Sequence, residues 1–366
     1  MKILQANKFY PPDIGGVETV VRDIAEGLCD YVNMRVLVCQ KKGQRVCEIV
    51  NGVSVFRAAS WGTFFSMPLS VDFLMQYRKM SRCAEVVQLH SPFPLADLAV
   101  WLFRPKGKLV VWWHSDIIRQ KFLRRILAPL IKHTLQRADA ILVADERLIE
   151  ASHYLPSVKN KCVVIPFGLD FSAYPIPMVG FLRLNRPGQV KLLFVGRLVY
   201  YKGIDVLIEA MKSVQGAELF IVGNGKLEGA LKKSVRDAGM EECVHFMDSL
   251  LREDLLAAYY DCDVFVFSSV AKSETFGICQ LEAMFYGKPV INTDLPTAVP
   301  SVSVHGETGL TVPPGNAEAL AQAINKLVVN EDLRLAYGMA AAQRVRDKYD
   351  RIQMIKKVQD CYENCL

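Results

Sequence analysis

Short apolar runs recur through the first half of the chain at Ile3-Leu4, Val36–Val38, Val86-Val87, Leu109–Trp113, Ile141–Val143 and Val163–Ile165. Each is too brief for a helix and is apolar on both faces, the pattern of parallel strands covered on each side. Between them lie longer stretches with helical spacing, clearest in Val17, Val20, Val21, Ile24, Ala25 and Leu28 at i, i+3, i+4, i+7. From Phe171 to Gln189 the rhythm is broken by Pro175, Pro177, Gly180, Pro187 and Gly188, and a second series then begins with Leu192–Val195, Leu219–Val222, Val264–Phe267 and Pro289–Ile291. The expectation is an α/β protein of two Rossmann-like, doubly wound parallel-sheet domains facing across a cleft, with ligands beyond the carboxyl ends of the strands. A chain of 366 residues has the length for two cores. The boundaries expected are 1–172 for the first domain, 173–189 for a linker and 190–348 for the second domain.

Met1-Lys2-Ile3-Leu4 leads within a few residues to Asn7 and Lys8, so no apolar signal segment is expected. The apolar stretch Leu95–Phe103, with Asp97 inside it, falls short of the ~20 residues that cross a bilayer. A cytoplasmic location follows as the expectation. The ten cysteines are scattered through strand-like and helix-like runs of a large chain and are expected to be free thiols; Cys361 and Cys365 lack the further ligands that a metal requires.

Charge is uneven. Residues 1–170 carry 23 Lys and Arg against 15 Asp and Glu, whereas residues 171–366 carry 21 against 23. Segment 104–137 alone holds Arg104, Lys106, Lys108, Arg119, Lys121, Arg124, Arg125, Lys132 and Arg137, with Asp116 inside it and Asp139 just beyond. Such a local excess points to an anionic partner. With Phe122, Leu123, Ile126, Leu127, Leu130 and Ile131 among its cations, the segment fits either an amphipathic helix on an anionic membrane surface or a core-packing helix with a solvated basic face. Trp61, Phe64 and Phe65 fit either contact with an acceptor lipid or burial. No helix-turn-helix or aromatic-interleaved pattern supports nucleic acid.

Several strand ends carry chemistry. Gly196-Arg197 follows the strand at 192–195 and Lys202-Gly203 comes five residues later, two cations suited to a diphosphate. In Ser268–Tyr286, Glu274 precedes a predicted helix beginning near Phe276-Gly277-Ile278, and Glu282 shares a face with Ile278, Leu281 and Phe285. A carboxylate on that face needs donors, which sugar hydroxyls supply and which a core Arg or backbone amides supply equally. Gly15-Gly16, between the first strand and first helix, allows close approach of a phosphate without matching the dinucleotide fingerprint, and Gly223-Asn224-Gly225 is a lone G-x-G. His90 and His114 each end a strand, where a histidine binds a substrate hydroxyl or is satisfied by backbone. Asp261-Cys262-Asp263 stands at the start of a strand, away from the ligand end, which excludes it as a metal-holding D-x-D.

Together these residues resemble glycosyltransferase family 4, retaining enzymes of the GT-B fold, over nearly the whole chain. The carrying elements are Gly15-Gly16, the pair Gly196-Arg197 and Lys202-Gly203, the E-x7-E element from Glu274 to Glu282, and Ile165-Pro166-Phe167-Gly168-Leu169-Asp170, with Phe167 where Asn is more usual. The resemblance implies that Arg197 and Lys202 hold the donor diphosphate and Glu282 the ribose. It gives Glu274 the transferred sugar, aided by the backbone of Phe276, Gly277 and Ile278, and turns His114 toward that sugar. Gly15, Gly16 and Gly223 complete the donor site. Retention implies attack on the face the nucleotide leaves, with no cofactor and no required metal. One departure is Thr293-Asp294-Leu295-Pro296-Thr297, which replaces a glycine-rich turn followed by Glu. The stretch 349–366 is expected to cross back to the first domain as a helix.

The implied activity is that of a hexosyltransferase moving a sugar from a nucleotide-sugar donor to a lipid-linked saccharide acceptor in surface polysaccharide (O-antigen, lipopolysaccharide) assembly, peripheral on the inner face of the cytoplasmic membrane. Similarity to rhamnosyl and mannosyl transferases favours mannose from GDP-mannose. A UDP-linked N-acetylhexosamine, glucose or galactose is the alternative within the fold. An epimerase of the same fold would need no acceptor, and a membrane-bound scaffold would be indifferent to Glu274 and Arg197.

Overall fold

The computed structural model describes residues 1–13, 15–64, 67–116, 121–177 and 180–366, with backbone only for 121–124. Ile14 beside the glycine pair, Phe65, Arg119, and the side chains of Lys121, Phe122, Leu123 and Arg124 in the basic segment lie outside the described residues. The chain divides into two compact units, Met1–Gly168 with Arg351–Leu366, and Leu169–Asp350.

The first unit is built on eight strands: β1 (Lys2–Ala6), β2 (Asn33–Cys39), β3 (Val46–Val50), β4 (Val53–Ala58), β7 (Val86–Ser91), β8 (Lys108–Trp113), β9 (Ala140–Val143) and β10 (Cys162–Val164), with β5 (Thr63–Phe64) and β6 (Met67–Pro68) as a separate small hairpin. Their order is β10-β9-β8-β7-β1-β2-β4-β3. All pairs are parallel except β3 with β4, which are joined by Asn51-Gly52, both at positive φ (47° and 82°), the conformation an Asn-Gly hairpin turn demands. Helices α1 (Gly16–Leu28), α2 (Val71–Ser81), α3 (Pro94–Phe103), α4 (Lys121–Arg137) and α5 (Glu146–Ala151) connect the strands. Phe73 and Tyr77 of α2, Ala96 and Val100 of α3, and Ile131 and Leu135 of α4 share one core with Leu4, Val87, Leu109 and Ile141, so these three helices cover one face of the sheet. Ser70 caps α2 by accepting the Phe73 N–H at 2.9 Å. In α4 Leu127, Ile131 and Leu135 turn toward the core, whereas Arg125, Ile126 and Lys132 stay outside.

In the second unit, β11 (Val190–Val195), β12 (Ala217–Val222), β13 (Val244–Met247), β14 (Val264–Val266), β15 (Val290–Thr293) and β16 (Gly309–Val312) form an all-parallel sheet in the order β13-β12-β11-β14-β15-β16. The helices are α6 (Ile204–Met211), α7 (Glu228–Asp237), α8 (Arg252–Asp261), α9 (Ile278–Phe285), α10 (Val299–Val302), α11 (Ala317–Val329) and α12 (Glu331–Lys348). Its core gathers Leu192, Phe194, Leu219, Ile221, Val264 and Ile291 with Leu207, Leu320 and Ile324.

Helix α13 (Arg351–Cys365) belongs to the first unit, where it packs on α1. Gly27 of α1 leaves room for Ile355: a Cβ there would stand 2.2 Å from the Ile355 Cδ1. Gln88 alternates with the core-facing Val87 and Leu89, so it points to the other side of the sheet, where the Tyr362 hydroxyl of α13 donates to its Oε1.

The unit boundary falls at Gly168/Leu169, a few residues before the expected one. Leu169 N–H donates to the Tyr349 carbonyl at 2.7 Å, tying the two chain crossings together. Much of the segment expected as a linker is fastened to the second unit. Leu182 N–H donates to Asp261 (2.6 Å), and the N–H groups of Asn185 and Arg186 donate to Glu218 (3.0 and 2.8 Å). Burial opposes ionisation of Glu218, but those amides and His245 outweigh it and hold the carboxyl below its usual range.

Candidate active site

Two sets of residues gather at the carboxyl ends of the sheets, one in each unit. In the second unit, β11 delivers Arg197 to the surface, where its Nη2 donates to the Tyr201 hydroxyl at 3.0 Å. Lys202, by contrast, is buried, with Nζ 2.5 Å from Glu274 Oε2 and 5.0 Å from the centre of the Phe267 ring. Burial alone would lower the Lys202 pKa, but Glu274 more than offsets this and raises it, so the ammonium stays charged. Ser269 Oγ donates to the same Glu274 oxygen at 3.3 Å. Arg197 and Lys202 therefore present one exposed and one sheltered cation past the same strand, an arrangement that can neutralise a diphosphate.

The turn after β12 is pressed against this site. Gly223 has φ of 129°, and a Cβ there would lie 2.2 Å from the Gly196 carbonyl oxygen, a contact only glycine avoids. Gly277, at φ 78°, opens α9 where a Cβ would meet the Phe267 ring at 2.5 Å. Phe276 is buried edge-on to Tyr349, and Ile278 begins the helix.

Glu282 lies one turn into α9, and its donors are phenols. Tyr174 OH donates to Oε1 and Tyr259 OH to Oε2, each at 2.9 Å, with Arg252 Nη1 at 4.0 Å. Burial still raises its pKa despite these partners. Neither the backbone amides nor the core Arg of the sequence reading are needed, although the carboxylate oxygens keep lone pairs for a further donor. The departing segment Thr293–Thr297 is held in place: Thr293 Oγ1 donates to Ser269 O at 2.6 Å and Ala298 N–H to Thr275 O at 2.9 Å. Asp261 and Asp263 are occupied at the opposite end of the sheet, pairing with Lys191 Nζ and accepting its backbone N–H.

In the first unit, the parallel pairing of β7 with β8 brings His90 and His114 to one rim. His90 Nδ1 is 2.9 Å from His114 Nε2, and Gln5 Nε2 is 2.9 Å from His90 Nε2. An amide nitrogen only donates, so His90 Nε2 accepts; a neutral His90 then donates from Nδ1, and His114 is left with its proton on Nδ1. Trp112 and Phe167 stack beside the His114 ring, centroids 6.0 and 5.8 Å away. Burial, reinforced by the charge of Lys8, lowers the His114 pKa to about 3, and burial lowers that of His90 as well. Both are neutral imidazoles at ordinary pH. Gly15 caps α1 past β1, and Gly16 is its first residue. The sequence did not single out Gln5, Tyr174 or Tyr259, which sit far along the chain from the residues they serve.

Comparison with known proteins bears on the family and the fold. The sequence profile described as Glycosyltransferase Family 4 matches residues 14–173, and that described as Glycosyl transferases group 1 matches residues 183–344. The chain is 33% identical over 95% of its length to the D-rhamnosyltransferase WbpZ of Pseudomonas aeruginosa, covering 92% of that protein. It is 29% identical to the O-antigen chain mannosyltransferase C of Escherichia coli, covering 100% of this chain and 99% of that one. Among solved structures, sucrose-phosphate synthase from Thermosynechococcus elongatus superposes with a TM-score of 0.81 at 19% identity, covering 99% of this chain and 98% of the other, a likeness of fold. Matched in both halves and by a relative along nearly its whole length, the chain belongs to glycosyltransferase family 4 and is a glycosyltransferase of the GT-B fold, with two Rossmann-like domains.

Proposed function

We propose that this protein is a retaining transferase that moves mannose from GDP-mannose onto a lipid-linked saccharide in the assembly of a surface polysaccharide, working at the inner face of the cytoplasmic membrane. The observation that carries the donor site is the buried Lys202–Glu274 ion pair with Arg197 beside it past β11. An incoming diphosphate supplies Lys202 with a second anion and frees Glu274 to accept from hydroxyls of the transferred sugar. Arg197 and Lys202 then stabilise charge on the departing diphosphate. Glu282 takes the ribose, and His114, neutral, faces the sugar. Support for mannose comes from two relatives, one named a rhamnosyltransferase and the other a mannosyltransferase of O-antigen chains. No described helix is long and apolar enough to cross a membrane, and the cations of segment 104–137 are assigned to an anionic membrane surface.

The test is thermal stabilisation by a panel of nucleotides and nucleotide sugars, since a ligand at ~100 times its dissociation constant adds roughly 2.7 kcal/mol. Selective stabilisation by GDP and GDP-mannose, lost in Arg197→Ala, is the expected result. Selectivity for UDP species discards mannose, and no response to any nucleotide overturns the donor site.

A further inference from the structure

Helix α3 is apolar on its outer side as well as on the side it buries. A helix that covers a sheet ordinarily turns its apolar side inward and its polar side to water. In Pro94–Phe103 the one polar residue is Asp97, and it is buried, with Oδ2 lacking any hydrogen-bond partner. The outward side carries Leu95 and Leu98, half-buried, and then Trp101 and Leu102, which are 52% and 46% exposed.

The helices on either side supply charge. On α2 the outward stripe is Val71, Met75, Arg78 and Arg82, at i, i+4, i+7 and i+11, opposite the buried Phe73, Tyr77 and Ser81. Arg78 lies 5.7 Å over the Phe103 ring at the end of α3. On α4 the outward stripe is Arg125, Pro129, Lys132 and Gln136. Among the described residues of these three helices no free carboxylate competes: α4 has no acid, Asp97 is turned inward, and Asp72 of α2 is paired with Arg45. An apolar ridge thus runs between two basic banks.

We propose that this outer face of α2, α3 and α4 is seated on an anionic lipid bilayer, with Trp101 and Leu102 of α3 entering the acyl boundary and the arginines and lysines of α2 and α4 at the headgroups. The proposal deepens the membrane part of the reading above and rests on it. It also moves the inserting element from α4, whose Leu127, Ile131 and Leu135 face the core, to α3. A second copy of the chain fits the face poorly, because a self-complementary contact across the ridge would set basic bank against basic bank.

The experiment uses the full chain with phosphatidylcholine vesicles, with and without phosphatidylglycerol. Binding that requires phosphatidylglycerol, weakened roughly tenfold or more by Trp101→Ser with Leu102→Ser, is the expected result. Because that double variant alters a helix, the milder Trp101→Phe is read separately: brominated acyl chains quench tryptophan emission of the wild type, and the quenching falls in Trp101→Phe. Absence of vesicle binding, or quenching unchanged in Trp101→Phe, overturns the proposal, as does a concentration-dependent dimer that the double variant abolishes. Nucleotide stabilisation measured on the same proteins separates the two failures. A GDP response without vesicle binding sinks the membrane face alone, and vesicle binding without a nucleotide response leaves the membrane face standing while removing the donor site.

Discussion

Lys202 Nζ and Glu274 Oε2 meet at 2.5 Å with side chains only 11% and 13% exposed, so each is the other's main electrostatic support. Removing one charge strands its partner in a poorly solvated site. Glu274→Gln is expected to lower unfolding free energy at neutral pH by about 3 kcal/mol. The raised lysine pKa gives stability that is full below the unfolded lysine value and is lost as pH climbs through the folded one. The gap between variant and wild type should therefore close in strongly alkaline buffer. Denaturant melts across that range check it; equal stabilities at neutral pH would show that the pair is not a stabilising contact.

His114 should not titrate during turnover. Its pKa of about 3 leaves it neutral throughout the working range, and its contribution to stability, present above the unfolded histidine value, is lost only as pH falls from about 6.5 toward 3. The transfer rate is expected to show no histidine inflection between pH 5 and 8. Nitrogen NMR of the ring is expected to show the proton on Nδ1, and an Nε2–H tautomer would contradict the relay from Gln5 through His90.

Asp97 titrates in the opposite sense. Burial, only partly opposed by Thr134, raises its pKa to about 7, so its protonated form supports the fold below pH 3.8 and that support is lost as pH rises to 7. Asp97→Asn removes the titration and should melt higher than wild type at pH 8, with an advantage that shrinks or reverses at pH 5. The sloping term is roughly 1.4 kcal/mol per pH unit. A constant difference across this range would mean that Asp97 is already ionised in the folded protein.

Tyr362→Phe leaves Gln88, already without a partner at Nε2, with an unsatisfied Oε1 beneath α13. A loss of about 1–2 kcal/mol is expected from chemical denaturation. No loss would mean that water replaces the phenol.

Much of the fold was written locally. The strands apolar on both faces, such as Leu109–Trp113 and Leu219–Val222, stood out because covering helices demand that pattern. Strand β3 escaped notice because it is an edge strand with exposed residues, although Val50-Asn51-Gly52-Val53 announced its hairpin. Strand β13 was missed because His245 interrupts its apolar run. Prolines and glycines made 173–189 look like a free linker, and nothing local tells that Glu218 and Asp261 capture its amides. The site divides in the same way. Arg197, Lys202, Glu274 and Glu282 were visible from their positions past strand ends, whereas Tyr174 lies 108 residues from Glu282 and Gln5 lies 85 from His90, separations that only the folded sheets close.

Because α13 completes the first unit, the order of synthesis and the order of completion are reversed. The second unit, Leu169–Asp350, has all its residues before the first has its last helix. A ribosome therefore holds the amino-terminal sheet with the seam of α1 around Gly27 bare while the later unit is already able to close, and domains generally fold as units during synthesis. Until residues past 351 emerge, the earliest part of the chain is the one that needs shielding.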